Sequence, residues 1–286
     1  MRTLEKMHPA VCFLYLLAVL GFTAFAREPV TVLISLGGSV LLAALSGGLK
    51  GAGWFGAVAV TGALANFLFV HNGETALFFV GDRAFTLEAL CYGAFVGGML
   101  AAVCLWGACA VRFVTSDKYI WLFGRIFPAA GLVLSCAIRF LPMFIRTSRE
   151  FAAVQNVQSI RGRLRAFSAS VGYSAERAMD SALSMKARGY GTSPRTSFSI
   201  YRFTEYTAVS MAAVLAAAGI SLVLRVFGAG EYYFYPALSD IPFGAADIAM
   251  YCAFAALCLL PSAVILYRNI AVSYTHLRAH ETEADL

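Results

Sequence analysis

The sequence predicts an all-α, polytopic membrane fold of about six transmembrane helices, a partial span, and two further helices in a basic insert. Three observations carry this. Over 286 residues, 60% are hydrophobic and only 13% charged, and the mean hydropathy of +0.73 does not fit a water-soluble globule. Six apolar runs of helix-spanning length contain no ionisable residue. Half of the basic residues, 11 of 22, fall between Arg139 and Arg202, opposed only by Glu150, Glu176 and Asp180.

The six runs are 10–26, 30–49, 54–70, 89–111, 206–224 and 248–267. A hydrocarbon core of about 30 Å asks for roughly 20 helical residues and tolerates roughly 17. The first run follows Arg2 and Lys6 and ends in Ala24-Phe25-Ala26, which is also the pattern of a cleaved signal peptide. Its length exceeds a signal core of roughly 7–15 residues, and Pro29 followed by more apolar sequence reads as a tight turn into a second span. Gly93 and Gly97 form a GxxxG, and Gly47, Gly48, Gly51 and Gly53 crowd the second turn region. Such small residues let helices approach closely, whereas the Walker spacing for a phosphate loop is missing. Asn66 is the most polar residue at depth and is expected to hydrogen-bond across helices. The seven cysteines lie mostly in apolar runs without a CxxC pair, so they read as small hydrophobes rather than disulfides or zinc ligands.

A seventh stretch, 126–145, contains Arg139 and Pro142. A lone Arg at mid-bilayer costs at least about 2.5–3.5 kcal/mol. Arg112, Lys118 and Arg125 precede it and the basic cluster follows it, so both flanks favour the cytoplasm. The stretch is therefore expected to lie in the interface or pack as a partial span. Six crossings put both termini, Lys50 and Arg268 inside, with loops 71–88 and 228–247 outside. Of the basic residues only Arg27, Arg83 and Arg225 then lie outside, and the aromatic run 231–235 reads as a headgroup-level anchor.

The insert carries helical periodicity twice. Ala153, Val157, Ile160 and Leu164 share one face of a first helix, expected to stop at Arg161-Gly162 or shortly after. Ala175, Ala178, Ala182 and Met185 share one face of a second, followed by Ala187-Arg188-Gly189, Gly191 and Pro194, a strong stop signal. Gly supplies the left-handed residue past a helix end, and Arg complements the dipole by about 0.3–1 kcal/mol. Two such endings suggest two helix tips, each presenting a guanidinium that can grip a carboxylate with paired hydrogen bonds. The Ala- and Ser-rich faces over 168–187 would let two helices cross closely.

In these and neighbouring motifs the chain resembles the transmembrane T component (EcfT/CbiQ-like) of energy-coupling factor importers of vitamins and metal ions. The resemblance rests on His8-Pro9, Thr115-Ser116, Arg139-Phe140-Leu141-Pro142, Ser159-Ile160-Arg161-Gly162, and Met185-Lys186-Ala187-Arg188-Gly189-Tyr190-Gly191 with Arg195-Thr196. Ile160 stands where that family usually has Ala. The resemblance implies that the two helices are coupling helices, whose Ser159, Ile160, Arg161, Gly162, Ala187, Arg188 and Gly189 dock two cytoplasmic ABC-type ATPase subunits, with Arg139, Pro142, Arg195 and Thr196 in support. It further implies a separate small substrate-binding membrane subunit, and a non-catalytic chain in a prokaryotic plasma membrane.

These readings divide the chain into a four-span region 1–125, the partial span and coupling region 126–202, a two-span region 203–272, and a tail 273–286. The tail changes character abruptly and reads as appended, non-native sequence, so His276 and His280 are not expected to bind metal. No catalytic group, cofactor, metal or nucleic-acid partner is expected; membrane lipid is. With no charged residue inside the six runs, a proton or ion relay is not visible. The alternative is an autonomous channel or secondary transporter whose basic insert binds anionic lipid.

Overall fold

The computed structural model describes residues 7–47, 52–70, 73–80, 83–154, 159–190, 201 and 203–284. They form nine helices and one hairpin: α1 Pro9–Ala24, α2 Pro29–Leu45, α3 Ala52–Phe69, β1 Ala76–Val80, β2 Arg83–Thr86, α4 Leu87–Phe113, α5 Ser116–Ile126, α6 Pro128–Val154, α7 Ile160–Ala187, α8 Glu205–Val226 and α9 Ala245–Ala284. The fold is thus mostly helical, with a correction to the all-α expectation. β1 and β2 pair antiparallel. Phe78, Phe79 and Val80 favour extended backbone, and the intervening Gly81-Asp82 is turn-forming sequence.

Among the described residues, four helices are long and apolar enough to cross a membrane: α4, α6, α8, and α9 over Ala245–Tyr267. Helices α1 and α2, with 16 and 17 residues, and α3 are apolar but shorter. Pro at the first position starts both α1 and α2, where its missing N–H costs nothing. The expected partial span becomes an unbroken 27-residue helix, α6, with Pro142 inside it. The backbone of the tail continues α9 to Ala284.

The chain divides into two compact units, Met1–Thr115 with Phe203–Leu286, and Ser116–Arg202. The first break thus falls at Thr115, before α5, and the last two apolar helices belong with the first four. The core of the first unit is built from Val11, Val19, Leu42, Trp106, Val214, Phe254 and Leu257 of five helices. Small residues bring α3 against α4. A Cβ on Gly93 would meet the Ala63 carbonyl oxygen at 2.6 Å, one on Gly62 would meet Gly97 Cα at 2.9 Å, and one on Gly97 would overlap the Ala59 carbonyl. Asn66 Nδ2 donates to the Ala89 carbonyl at 2.8 Å, the interhelical bond its sequence position suggested. The seven cysteines are free thiols, with Cys104 and Cys252 exposed and Cys12, Cys109 and Cys258 buried.

Contacts sort the helix ends of this unit into two groups. At one end His8, before α1, packs edge-on against Phe203, before α8, at 5.5 Å, and Arg112 of α4 donates to the Ser46 carbonyl after α2 at 3.4 Å. At the other end Glu28, between α1 and α2, pairs with Arg225 of α8 at 3.5 Å. There too Tyr92 of α4 packs on Phe234, between α8 and α9, at 5.2 Å. The chain therefore leaves the unit at Thr115 and re-enters at Phe203 by the same end.

Candidate functional site: the basic helical unit

In the unit Ser116–Arg202, α6 packs along the first part of α7. Phe144 meets Phe167 edge-on at 6.1 Å, and Phe151 meets Tyr173 at 6.1 Å. Ala166 and Ser170 are buried. Further along lies an open groove of about 420 Å³, lined by Phe140, Leu141, Phe144, Val171, Ala175 and Ala178 among others. Arg177 closes its rim, 5.4 Å over the Tyr173 ring and 3.3 Å from the Met143 sulfur. The expected small face is therefore used in part: Ala175 and Ala178 face the groove, and Ala182 is exposed. Arg139, Pro142, Arg146, Arg149, Arg161, Arg163, Arg165, Arg177, Lys186 and Arg188 are all exposed.

The second Arg-Gly motif has the predicted geometry. Ala187 is the last residue of α7 and Arg188 its C-cap. Gly189 takes φ +81, the Tyr190 N–H reaches back to the Met185 carbonyl at 3.1 Å, and the Gly189 N–H to that of Lys186 at 3.0 Å. This six-to-one and five-to-two pair of bonds satisfies carbonyls that would otherwise be orphaned. The Arg188 guanidinium then stands at the negative end of a 28-residue helix.

The first motif does not. Arg161 and Gly162 lie in the opening turn of α7 rather than at a helix end. Ser159 has the extended N-cap backbone (φ −102, ψ 145), and its carbonyl accepts from the Arg163 N–H at 3.1 Å. Its side chain makes no capping bond. The face expected from Ala153, Val157, Ile160 and Leu164 is divided between α6 and α7, with Val157 outside the described residues. Ile160, the departure from the family pattern, is 73% exposed. Arg161 and Arg188 thus stand at opposite ends of one helix, about 40 Å apart at 1.5 Å per residue. Gly191, Pro194, Arg195 and Thr196 lie outside the described residues.

Two buried carboxylates in the other unit escaped the sequence reading. Glu28 and Glu88 are 0% and 2% exposed. Glu88 Oε1 accepts from Thr75 N at 3.1 Å and Thr75 Oγ1 at 2.6 Å, tying the hairpin to α4. Glu28 accepts from the Thr31 hydroxyl and pairs with Arg225. Burial pushes the Glu28 carboxyl above the usual range, against the pull of the Thr31 hydrogen bond and the Arg225 charge. Each residue alone reads as a charge suited to its helix end, Glu28 before α2 and Arg225 in the last turn of α8, so no sequence signal joins them. Among the described residues no group of three or more His, Cys, Asp or Glu could hold a metal ion.

No protein-family model matches the chain, and no curated protein matches it significantly.

Proposed function

We propose that the chain is the membrane scaffold and energy-coupling subunit of an ATP-driven importer of the energy-coupling factor type. The observation that carries this reading is a separate unit of exposed basic helices, inserted where the chain leaves and re-enters the apolar unit by one end, with an Arg-Gly motif exposed at each end of α7. A chain that exits and returns by one end crosses the membrane an even number of times between. Helix α7 carries Arg161, Arg163, Arg165, Glu176, Arg177, Asp180 and Lys186, too much charge for a partner span, which supports α6 lying at the interface. The concentration of basic residues supports a cytoplasmic side for this unit and both termini.

Two guanidiniums about 40 Å apart on one rigid rod suit two docking points, one on each member of an ATPase pair. Closure of the pair on ATP would displace both ends of the rod together. The apolar groove and the membrane helices would pass that displacement to a separate substrate-binding membrane subunit. Arg161→Glu combined with Arg188→Glu is expected to release a co-expressed ATPase pair from membranes; unchanged co-purification overturns the reading.

The exposed basic residues of the unit Ser116–Arg202 also suit a second reading, a self-sufficient transporter whose basic helices bind anionic lipid. That reading predicts solute flux by the purified chain in liposomes without nucleotide.

A further inference from the structure

The turn between α1 and α2 and the segment joining α8 to α9 meet on one carboxylate. Glu28 is wholly buried, with Oε1 facing Thr31 and Arg225. Its Oε2 and both terminal nitrogens of Arg225 are buried without a hydrogen-bond partner. Gly230, at φ +74, sits so close that a Cβ there would overlap the Glu28 carboxylate. The Gly230 N–H donates to Asp247 Oδ1 at 2.8 Å, and the other Asp247 oxygen accepts from the Gly244 N–H at 2.9 Å. Both ends of the segment between α8 and α9 are thus pinned by Asp247, and its start is pressed onto Glu28.

An ionised Glu28 is poorly served in this place. Its ion pair is 3.5 Å long and not a hydrogen bond, so the attraction only partly offsets the lost hydration. The groups facing it are Thr31 and Arg27 of its own turn, Arg225 of α8, and Asp247 and Tyr251 of α9. Asp247 adds a second negative charge. We propose that Glu28 is a proton-operated clasp: with its carboxyl neutral the segment from Phe227 to Gly244 is held against the α1–α2 turn, and ionisation favours its release. The direction follows from linkage. A carboxyl raised in the closed form binds its proton more tightly there than in the open form, so closure is favoured below the ordinary carboxylate range and is lost as pH rises through the raised value. This device involves no ATPase and stands or falls independently of the importer reading.

The test is amide hydrogen exchange of the whole chain in detergent micelles from pH 5 to 8.5, corrected for intrinsic rates. Protection of residues 228–230 is expected to fall about tenfold for each pH unit by which the carboxyl is raised. Glu28→Gln, permanently neutral, should stay protected throughout. Thr31→Val, which removes the bond favouring the ionised form, should move the midpoint to higher pH. If Glu28→Gln does not fold, the Thr31→Val midpoint decides alone. Equal pH dependence in wild type and Glu28→Gln, or a Thr31→Val midpoint that does not move, overturns the proposal.

Discussion

The indole nitrogen of Trp106 donates to Ser35 Oγ at 2.9 Å, with both residues fully buried or nearly so in the centre of the apolar unit. Ser35 lies 2.6 Å from Thr23 Oγ1, and Thr23 gives its own hydrogen to the Val19 carbonyl at 2.8 Å. Thr23 therefore cannot be the donor to Ser35, and the hydrogens point one way, from Trp106 through Ser35 and Thr23 to Val19. Ser35→Ala strands the indole N–H in an apolar core, at about 1–3 kcal/mol. Thr23→Val leaves Ser35 a hydroxyl free to turn to its own helix, and is expected to cost less. Thermal unfolding in detergent, with Ser35→Ala melting lower than Thr23→Val, checks the order.

Gly97 and Gly98 are adjacent but not equivalent. A methyl on Gly97 would overlap the Ala59 carbonyl, which is backbone and cannot move aside, whereas one on Gly98 would touch Val32 Cγ1 at 3.5 Å, an ordinary contact. Gly97→Ala should cost about 1–3 kcal/mol by forcing α3 from α4, and Gly98→Ala should be near neutral. A cysteine crosslink between the two helices, lost only in Gly97→Ala, reads this directly.

The two Arg-Gly motifs should respond oppositely to alanine. Gly189 occupies a left-handed conformation at φ +81, where a Cβ costs about 1–2 kcal/mol. Gly162 lies within the helical opening turn of α7, where alanine gains about 0.5–1 kcal/mol. Amide exchange should show the last turn of α7 fraying in Gly189→Ala and its first turn better protected in Gly162→Ala.

Removing Arg225 strands the buried Glu28 charge. Arg225→Met should destabilise the closed site most where Glu28 is ionised, because the site then loses its counterion and opens more readily, and much less in acid, because a neutral carboxyl needs no counterion. The loss should therefore grow with rising pH, in the sense set by a carboxyl already raised by burial. Melting temperatures that differ from wild type equally at pH 5 and pH 8 would contradict this.

Much of this architecture was legible in the residues, and the failures have physical causes. Long uninterrupted apolarity located five helices of the first unit to within a few residues, and the start but not the end of α9, which runs on to Ala284 through less apolar sequence, because long apolar runs are a strong helix signal in a membrane chain. Arg188-Gly189 was readable because glycine past a helix end has a local, conformational reason. Arg161-Gly162 was not: the same dipeptide also fits a first turn, and the periodicity of Ala153, Ile160 and Leu164 does not reveal that Ser159, with its extended N-cap backbone, starts a new helix. The hairpin was hidden because Ala76–Val80 is too short to show a period. The Glu28–Arg225 contact joins residues remote in the chain, which no local pattern encodes.

Because Thr115 and Phe203 both belong to the His8 end of the apolar bundle, the bundle's own packing closes without anything from 116–202. The basic helices are in this sense a graft on a finished stem. Those helices could be exchanged while the contacts of the stem's buried core, which come from five helices of the first unit, are inherited unchanged.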